Sequence, residues 1–162
     1  MLQPQSTALQ LRDVQASDLP TFFEYQNDTG AAHMAAFTPE DPADKHVFDA
    51  HWERVLNSDS YITKTIVRDE QIVGYIASFE FMSERTVGYW IGREFWGQGL
   101  ATQALALLLN IETIRPLYAR IAHDNIGSRR VLEKSGFTLH GEDSGFAHAR
   151  GEETQEFIFV LE

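Results

Sequence analysis

The chain of 162 residues has no cysteine. That excludes disulfides and thiolate metal sites, and it removes the strongest side-chain nucleophile. A cysteine-free chain fits a reducing cytoplasm. No apolar run approaches the ~20 residues that a membrane helix needs, and the N-terminal stretch "MLQPQSTALQLRD" lacks the basic and apolar regions of a signal peptide. Positive charge is scarce. Lys and Arg number 13 against 24 Asp and Glu, and the net charge of −11 repels nucleic acid phosphates and anionic membranes. Neither is expected as a partner, whereas a cationic one such as an amine is favoured. No metal is expected either: His46 and His51, five apart, do not share a helical face. Repeats, low-complexity tracts and linkers are absent.

What remains is an ordinary globular balance, 43% hydrophobic and 23% charged, long enough for one continuous core. The expected organisation is a single domain over 1–162. A strand at Leu9 to Arg12 leads into a helix with Ser17 or Asp18 as N-cap and Pro20 in its first turn. Val47, Phe48, His51, Trp52 and Val55 recur at helical spacing. Tyr61 to Arg68 and Ile72 to Phe81 form a hairpin around "DEQ", with Val73, Tyr75, Ala77, Phe79 and Phe81 on one face and Ser78 and Glu80 on the other. Thr86 to Gly92 is the next strand. A helix carrying Leu100, Ala104, Leu107, Leu108 and Ile111 on one face follows and is stopped by Pro116.

"LYARIA" reads as a strand and "NIGSRRVLEKSGF" as a helix closed by Gly136. Strands near Phe137 to His140 and Gln155 to Leu161 end the chain, with the polar "GEDSGFAHARGEE" between them as a loop. The order β-α-α-β-β-β-α-β-α-β-β predicts an α/β fold, a mixed sheet with helices on both faces.

The densest punctuation lies in "GREFWGQGLATQALALLLN", residues 92–110. A strand, a glycine turn and a helix start make an anion site, because free N–H groups point outward and the helix dipole adds about half a positive charge. Gly97 and Gly99 let the backbone bend tightly and leave it bare. The P-loop is excluded, since "WGQGLAT" has no lysine. The dinucleotide fingerprint wants a third small residue where Thr102 stands, although Asp124 sits where a ribose-binding acid would. On the turn alone, a purely structural strand-to-helix connection stays open.

"WGQGLA" followed by "HDNIGSRRVLEKSGF" resembles the acyl-CoA-binding core of the GNAT N-acetyltransferase superfamily, especially the branch that acetylates ribosomal-protein N-termini (the RimJ/RimL type). That family's motif runs Gln/Arg-x-x-Gly-x-Gly/Ala; here Gly99 and Ala101 fill its last places and Trp96 its first. The likeness extends more weakly over nearly the whole chain. It implies a central mixed, mostly antiparallel twisted sheet of about six to seven strands. It also implies acetyl-CoA as cosubstrate, no metal, and direct attack by a primary amine (a protein N-terminus or a small amine) in a ternary complex. The protein would be a monomer or homodimer.

The resemblance further implies roles for particular residues. The amides of Gly97, Gln98, Gly99, Leu100, Ala101 and Thr102 would hold the pyrophosphate, with Arg129 and Arg130 near the 3′-phosphate. Tyr89, Trp90 and Ile91 would offer backbone groups to the pantetheine and acetyl. Many relatives place a tyrosine acid where Leu132 stands here. Ser128, used in the ribosomal-protein branch, would serve the sulfur instead, and Asn125 would bind the pantetheine. As N-cap and first-turn residue, that pair is also ordinary helix chemistry. A strand glutamate common in relatives is Thr86 here. The base therefore stays open among Glu80 (the first choice), His123, Glu142, Asp143, Glu152 and a water relay. Phe37, Trp52 and the helix from Asp44 to Leu56 would wall the acceptor site. The missing tyrosine and glutamate keep a rival in view, a non-catalytic acyl-CoA-binding module.

Overall fold

The computed structural model describes residues 8–162; the start of the N-terminal stretch read above lies outside the described residues. Strand β1 (Gln10–Asp13) leads through a 3-10 turn into α1 (Leu19–Gln26), α2 (Thr29–Ala35) and α3 (Lys45–Leu56). Then come β2 (Ile62–Arg68), β3 (Gln71–Phe81), β4 (Glu84–Ile91), α4 (Leu100–Leu109), β5 (Leu117–Ala122), α5 (Ile126–Lys134), β6 (Thr138–Ala147) and β7 (Glu152–Leu161). One 7-stranded sheet results, in the order β1-β2-β3-β4-β5-β7-β6. Every neighbouring pair is antiparallel except β4 and β5. Among the described residues no helix is long and apolar enough to cross a membrane.

Both faces of the sheet are covered. Against one, Leu100, Ala104, Leu105 and Leu108 of α4 and Leu132 of α5 pack on Ile66, Ile76, Val87, Leu117 and Phe159. Against the other, α1 and α3 bring Phe22, Phe48, Trp52 and Val55 onto Tyr75 and Ile72. Phe22 lies 5.1 Å from Trp52 and 4.7 Å from Tyr75 between ring centroids. Adjacent Tyr75 and Ile76 thus serve opposite cores, as alternate residues of a strand must.

The single apolar face expected along β3 is interrupted. Pairing skips from Gly74 opposite Ile66 to Ile72 opposite Val67, leaving Val73 as a bulge that joins the α4 side rather than the Tyr75 side. Both hairpin turns around β3 hold two non-glycine residues at positive φ, Asp69 and Glu70 and then Met82 and Ser83. That is the arrangement that suits the right-handed twist of the flanking strands.

Several sequence expectations need correction. The buried stripe of α4 is Leu100, Ala104, Leu105 and Leu108, while Leu107 and Ile111 are exposed. A helix apolar nearly all round does not reveal its inner face by period alone. The helix also ends at Leu109, well before Pro116. The seven-residue α2 has no counterpart in the sequence reading, since "TGAAHMA" has no apolar stripe; the Asp28 carboxylate caps it by accepting from the amides of Gly30 and Ala31. The segment 141–153, expected as a loop, is mostly hairpin, with β6 paired from Thr138 to Ala147 against β7. Its glycines and acids disguise an edge strand, where polar residues are normal. The close of α5 is as expected: the Phe137 amide donates to Leu132 and that of Gly136 to Glu133, with Gly136 at φ +93°.

Asp18 occupies the N-cap position of α1 but its side chain caps no amide of that helix. Its carboxylate is buried, takes both terminal nitrogens of Arg12 at 2.7 and 2.8 Å, and also accepts from Thr65 Oγ1 at 2.7 Å and from the Gln15 amide at 2.9 Å. Burial alone would push this carboxyl up, but the hydrogen bonds from Arg12, Gln15 and Thr65 outweigh it and leave the pKa below 3.8. A folded pKa held below the unfolded one gives stability that is full above the ordinary value and fades as the pH falls through the folded value. Asp18→Asn is expected to cost about 2 kcal/mol at neutral pH. Urea titrations of both proteins should show that gap narrowing as the pH drops below about 4.

Candidate functional site

Strands β4 and β5 share a single register pair, Thr86 with Tyr118. Beyond it they part, and β4 runs on to Ile91 beside an open wedge. A cavity of about 690 Å³ fills that wedge. Its walls are the end of β4 (Tyr89, Trp90, Ile91), the glycine turn with the start of α4, the start of α5, and Ala31, Met34 and Ala35 of α2.

In the turn, Gly97 and Gly99 sit at φ +76° and +75°. A Cβ on either would meet nothing within 4 Å. The glycines are therefore required by backbone angle, and the space before them is clear. The amides from Gly97 to Thr102 have no hydrogen-bond partner among the described residues, and the first in the helix to find a carbonyl is Gln103, which donates to Gly99 at 3.1 Å. Two side chains hold the turn in place. The Trp96 indole donates to the Ile91 carbonyl at 2.8 Å, and Arg68 donates to Gln98 Oε1 at 2.7 Å. The second contact turns Gln98 toward β2, and it does not line the cavity.

At the start of α5, Asn125 accepts the Ser128 amide at 3.2 Å, so its oxygen is spent on the cap. Its Nδ2 has only a long contact, 3.5 Å, to the Met34 carbonyl. Ser128 and Tyr89 both line the cavity. The Tyr89 hydroxyl is buried and has no partner of acceptable geometry, as is true of Trp90 Nε1. Burial pushes the Tyr89 phenol up to about 12, against a small opposing pull from the Ser128 hydroxyl. Arg130 and Lys134 line the cavity; Arg129 instead pairs with Glu133 and lies over the rings of Phe157 and Phe159.

The remaining sequence candidates lie elsewhere. Glu80 is exposed near the far end of β3, opposite Arg85, and is not part of the cavity wall. Thr86 is buried at the β4–β5 junction, and Leu132 lies wholly in the core. His123 Nδ1 is 3.2 Å from the Gln155 carbonyl, Glu142 accepts from Gln155, and Asp143 pairs with Arg120. Glu152 is exposed where β7 begins. Trp52 is buried in the aromatic cluster and Phe37 packs against Gly145, so neither walls the cavity. Their place is taken by α2, whose contribution has no periodic signal in the sequence. Asp124 lines the cavity too, with its pKa lowered chiefly by a hydrogen bond from Arg150.

The family model for an acetyltransferase (GNAT) domain matches residues 8–138. Among curated proteins, the uncharacterized N-acetyltransferase YjdG of Bacillus subtilis (strain 168) is 32% identical over 66 residues, which is 38% of this chain and 39% of that protein. The match thus spans less than half of the relative's length. Among solved structures, RimL, a ribosomal L7/L12 alpha-N-protein acetyltransferase in complex with coenzyme A, superposes with TM-score 0.79 at 19% identity over 98% of this chain and 97% of that one. The spermidine N-acetyltransferase from Vibrio cholerae in complex with CoA and spermine gives TM-score 0.77 at 16% identity over 96% of both chains. At these identities the structural matches establish the shared fold.

Substituting Gly99 tests the strain directly. Gly99→Val places a branched side chain at positive φ, and chemical denaturation should show a loss of about 1–2 kcal/mol. A loss below about 0.3 kcal/mol, within the noise of such measurements, would mean the turn relaxes to an ordinary conformation.

Proposed function

The chain belongs to the GNAT acetyltransferase family, and from that premise we propose that it transfers the acetyl group of acetyl-CoA to a primary amine. The observation that carries this reading is the run of unpartnered amides from Gly97 to Thr102, opening onto the wedge between β4 and β5. Bare N–H groups at a helix start suit a diphosphate, and Arg130 and Lys134 on the same cavity add positive charge for the remaining phosphate. From there a pantetheine arm would follow the edge of β4, whose backbone beyond Thr86 is not bridged to β5.

The reaction then needs little from the protein. An amine attacks the thioester carbon, a C–N bond forms, and the C–S bond breaks. A backbone donor on β4 near Tyr89 to Ile91 would stabilise the developing oxyanion, a contribution of roughly 3–4 kcal/mol when well placed. Ser128 would donate to the leaving sulfur, and Nδ2 of Asn125, held only by its long contact to Met34, to the pantetheine. For the base, Asp124 is a poor proton acceptor because Arg150 holds its pKa down, and Glu80 does not line the cavity. We assign proton removal to water in the open wedge. The net charge of −11 draws cationic acceptors. Both an N-terminal peptide and a polyamine fit that description, and the absence of cysteine suits the cytoplasm.

The test begins with binding. CoA at 100 times its Kd should stabilise the protein by about 2.7 kcal/mol and raise the melting temperature by several degrees. Thiol release from acetyl-CoA is then followed with an alanine-initial tetrapeptide, a serine-initial one and spermidine. Turnover above water is expected for at least one, with Ser128→Ala about 100-fold slower. Stabilisation by CoA with no turnover of any amine would favour the non-catalytic binding module instead.

A further inference from the structure

Helix α2 lends Ala31, Met34 and Ala35 to the cavity wall, yet it is only seven residues long. It stays in place because both its ends are tied. At the start, the capping Asp28 pairs with Arg93 at 3.1 Å, an exposed contact. At the end, a buried arginine arrives from the β6–β7 turn. Arg150 donates through Nε to the His33 carbonyl at 2.8 Å, and its two terminal nitrogens grip both oxygens of Asp124 at 2.9 and 2.8 Å. A longer contact, 3.5 Å, reaches the Met34 carbonyl. The Arg150 side chain is 5% exposed.

We propose that Arg150 is the positioning residue for the acceptor side of the site: it fixes α2 against the strand-end residue Asp124 and so sets where an amine is held. This rests on the acetyltransferase reading, in which the turn and α5 take the cofactor and the wall left for the amine is α2. The electrostatics require a cation at this point. The last turn of a helix presents carbonyl oxygens with partial negative charge, and here they face the Asp124 carboxylate. Without Arg150 the two would repel across the gap. Only a guanidinium reaches three acceptors in one plane; an ammonium in its place would satisfy fewer. The same arginine makes no hydrogen bond to the glycine turn, so the affinity for CoA is expected to change far less than that for the amine.

The experiment compares Arg150→Ala, Arg150→Lys and Asp124→Asn with the parent by hydrogen–deuterium exchange, CoA calorimetry and steady-state kinetics. Kinetics use the tetrapeptide or spermidine, whichever the parent turns over faster. In Arg150→Ala, exchange of the α2 amides should accelerate about tenfold while those of α4 keep their rates. The KM for the amine should rise about tenfold with kcat little changed, and the Kd for CoA should stay within about twofold. Arg150→Lys should recover part of the amine KM. Asp124→Asn, a milder change that keeps the side-chain volume, should shift α2 exchange in the same direction. The proposal is overturned if α2 exchange is unchanged in both Arg150→Ala and Asp124→Asn, or if the Kd for CoA rises as much as the amine KM. If the parent turns over no amine, the acetyltransferase reading fails separately, and the exchange rates still decide whether Arg150 holds α2.

Discussion

The structure turns on one geometric fact: two parallel strands that meet at a single pair and then separate. Parallel neighbours need a crossover, and α4 with the glycine turn supplies it between β4 and β5. Because the strands diverge, the end of β4 is left with backbone facing a cavity instead of a neighbour. Because the crossover helix starts beside that gap, its free amides face the same space. Sheet, turn and helix thus bring two sets of unsatisfied backbone groups to one place. No side chain had to be recruited for either.

Around this opening the basic residues are mostly committed to holding elements together. Arg12 binds Asp18 under α1, Arg85 binds the buried Glu112 beyond α4, and Arg120 bridges Asp143 and Glu156 on the last strands. Arg150 joins the β6–β7 turn to α2. Acidic residues outnumber basic ones in the chain, so carboxylate partners are plentiful. Arg130 and Lys134 form no ion pair among the described residues and both line the cavity. Positive charge is left free where an anionic ligand would lie.

The parts legible in the sequence are those whose signal is local. The Gly97–Gly99 turn, the Asn125 cap and the Gly136 close of α5 depend on a few neighbouring residues, and each lies where the spacing puts it. Of the thirteen residues read as cofactor-side, all but Gln98 and Arg129 border the cavity. What the sequence concealed depends on distant partners. Helix α2 is held by groups more than a hundred residues away, and β6 is a strand only because β7 lies beside it. Asp18 reads as a cap because a cap needs only its own neighbours, whereas its true partners are Arg12 and Thr65. Leu107 and Leu105 are interchangeable by composition, and the sheet beneath decides between them.

At the end of α2, Ala36 has φ +67° and ψ −59°, with the Phe37 amide donating back to Ala35 at 2.8 Å. This tight reversal is strained for any residue with a side chain. It is buried against Ala122 and Ala147, the latter just before the turn that carries Arg150. Three methyl groups therefore act as a gauge: their small volume sets how near the helix can approach the strands behind it. The breadth of the cavity is fixed in part by atoms that never touch its contents.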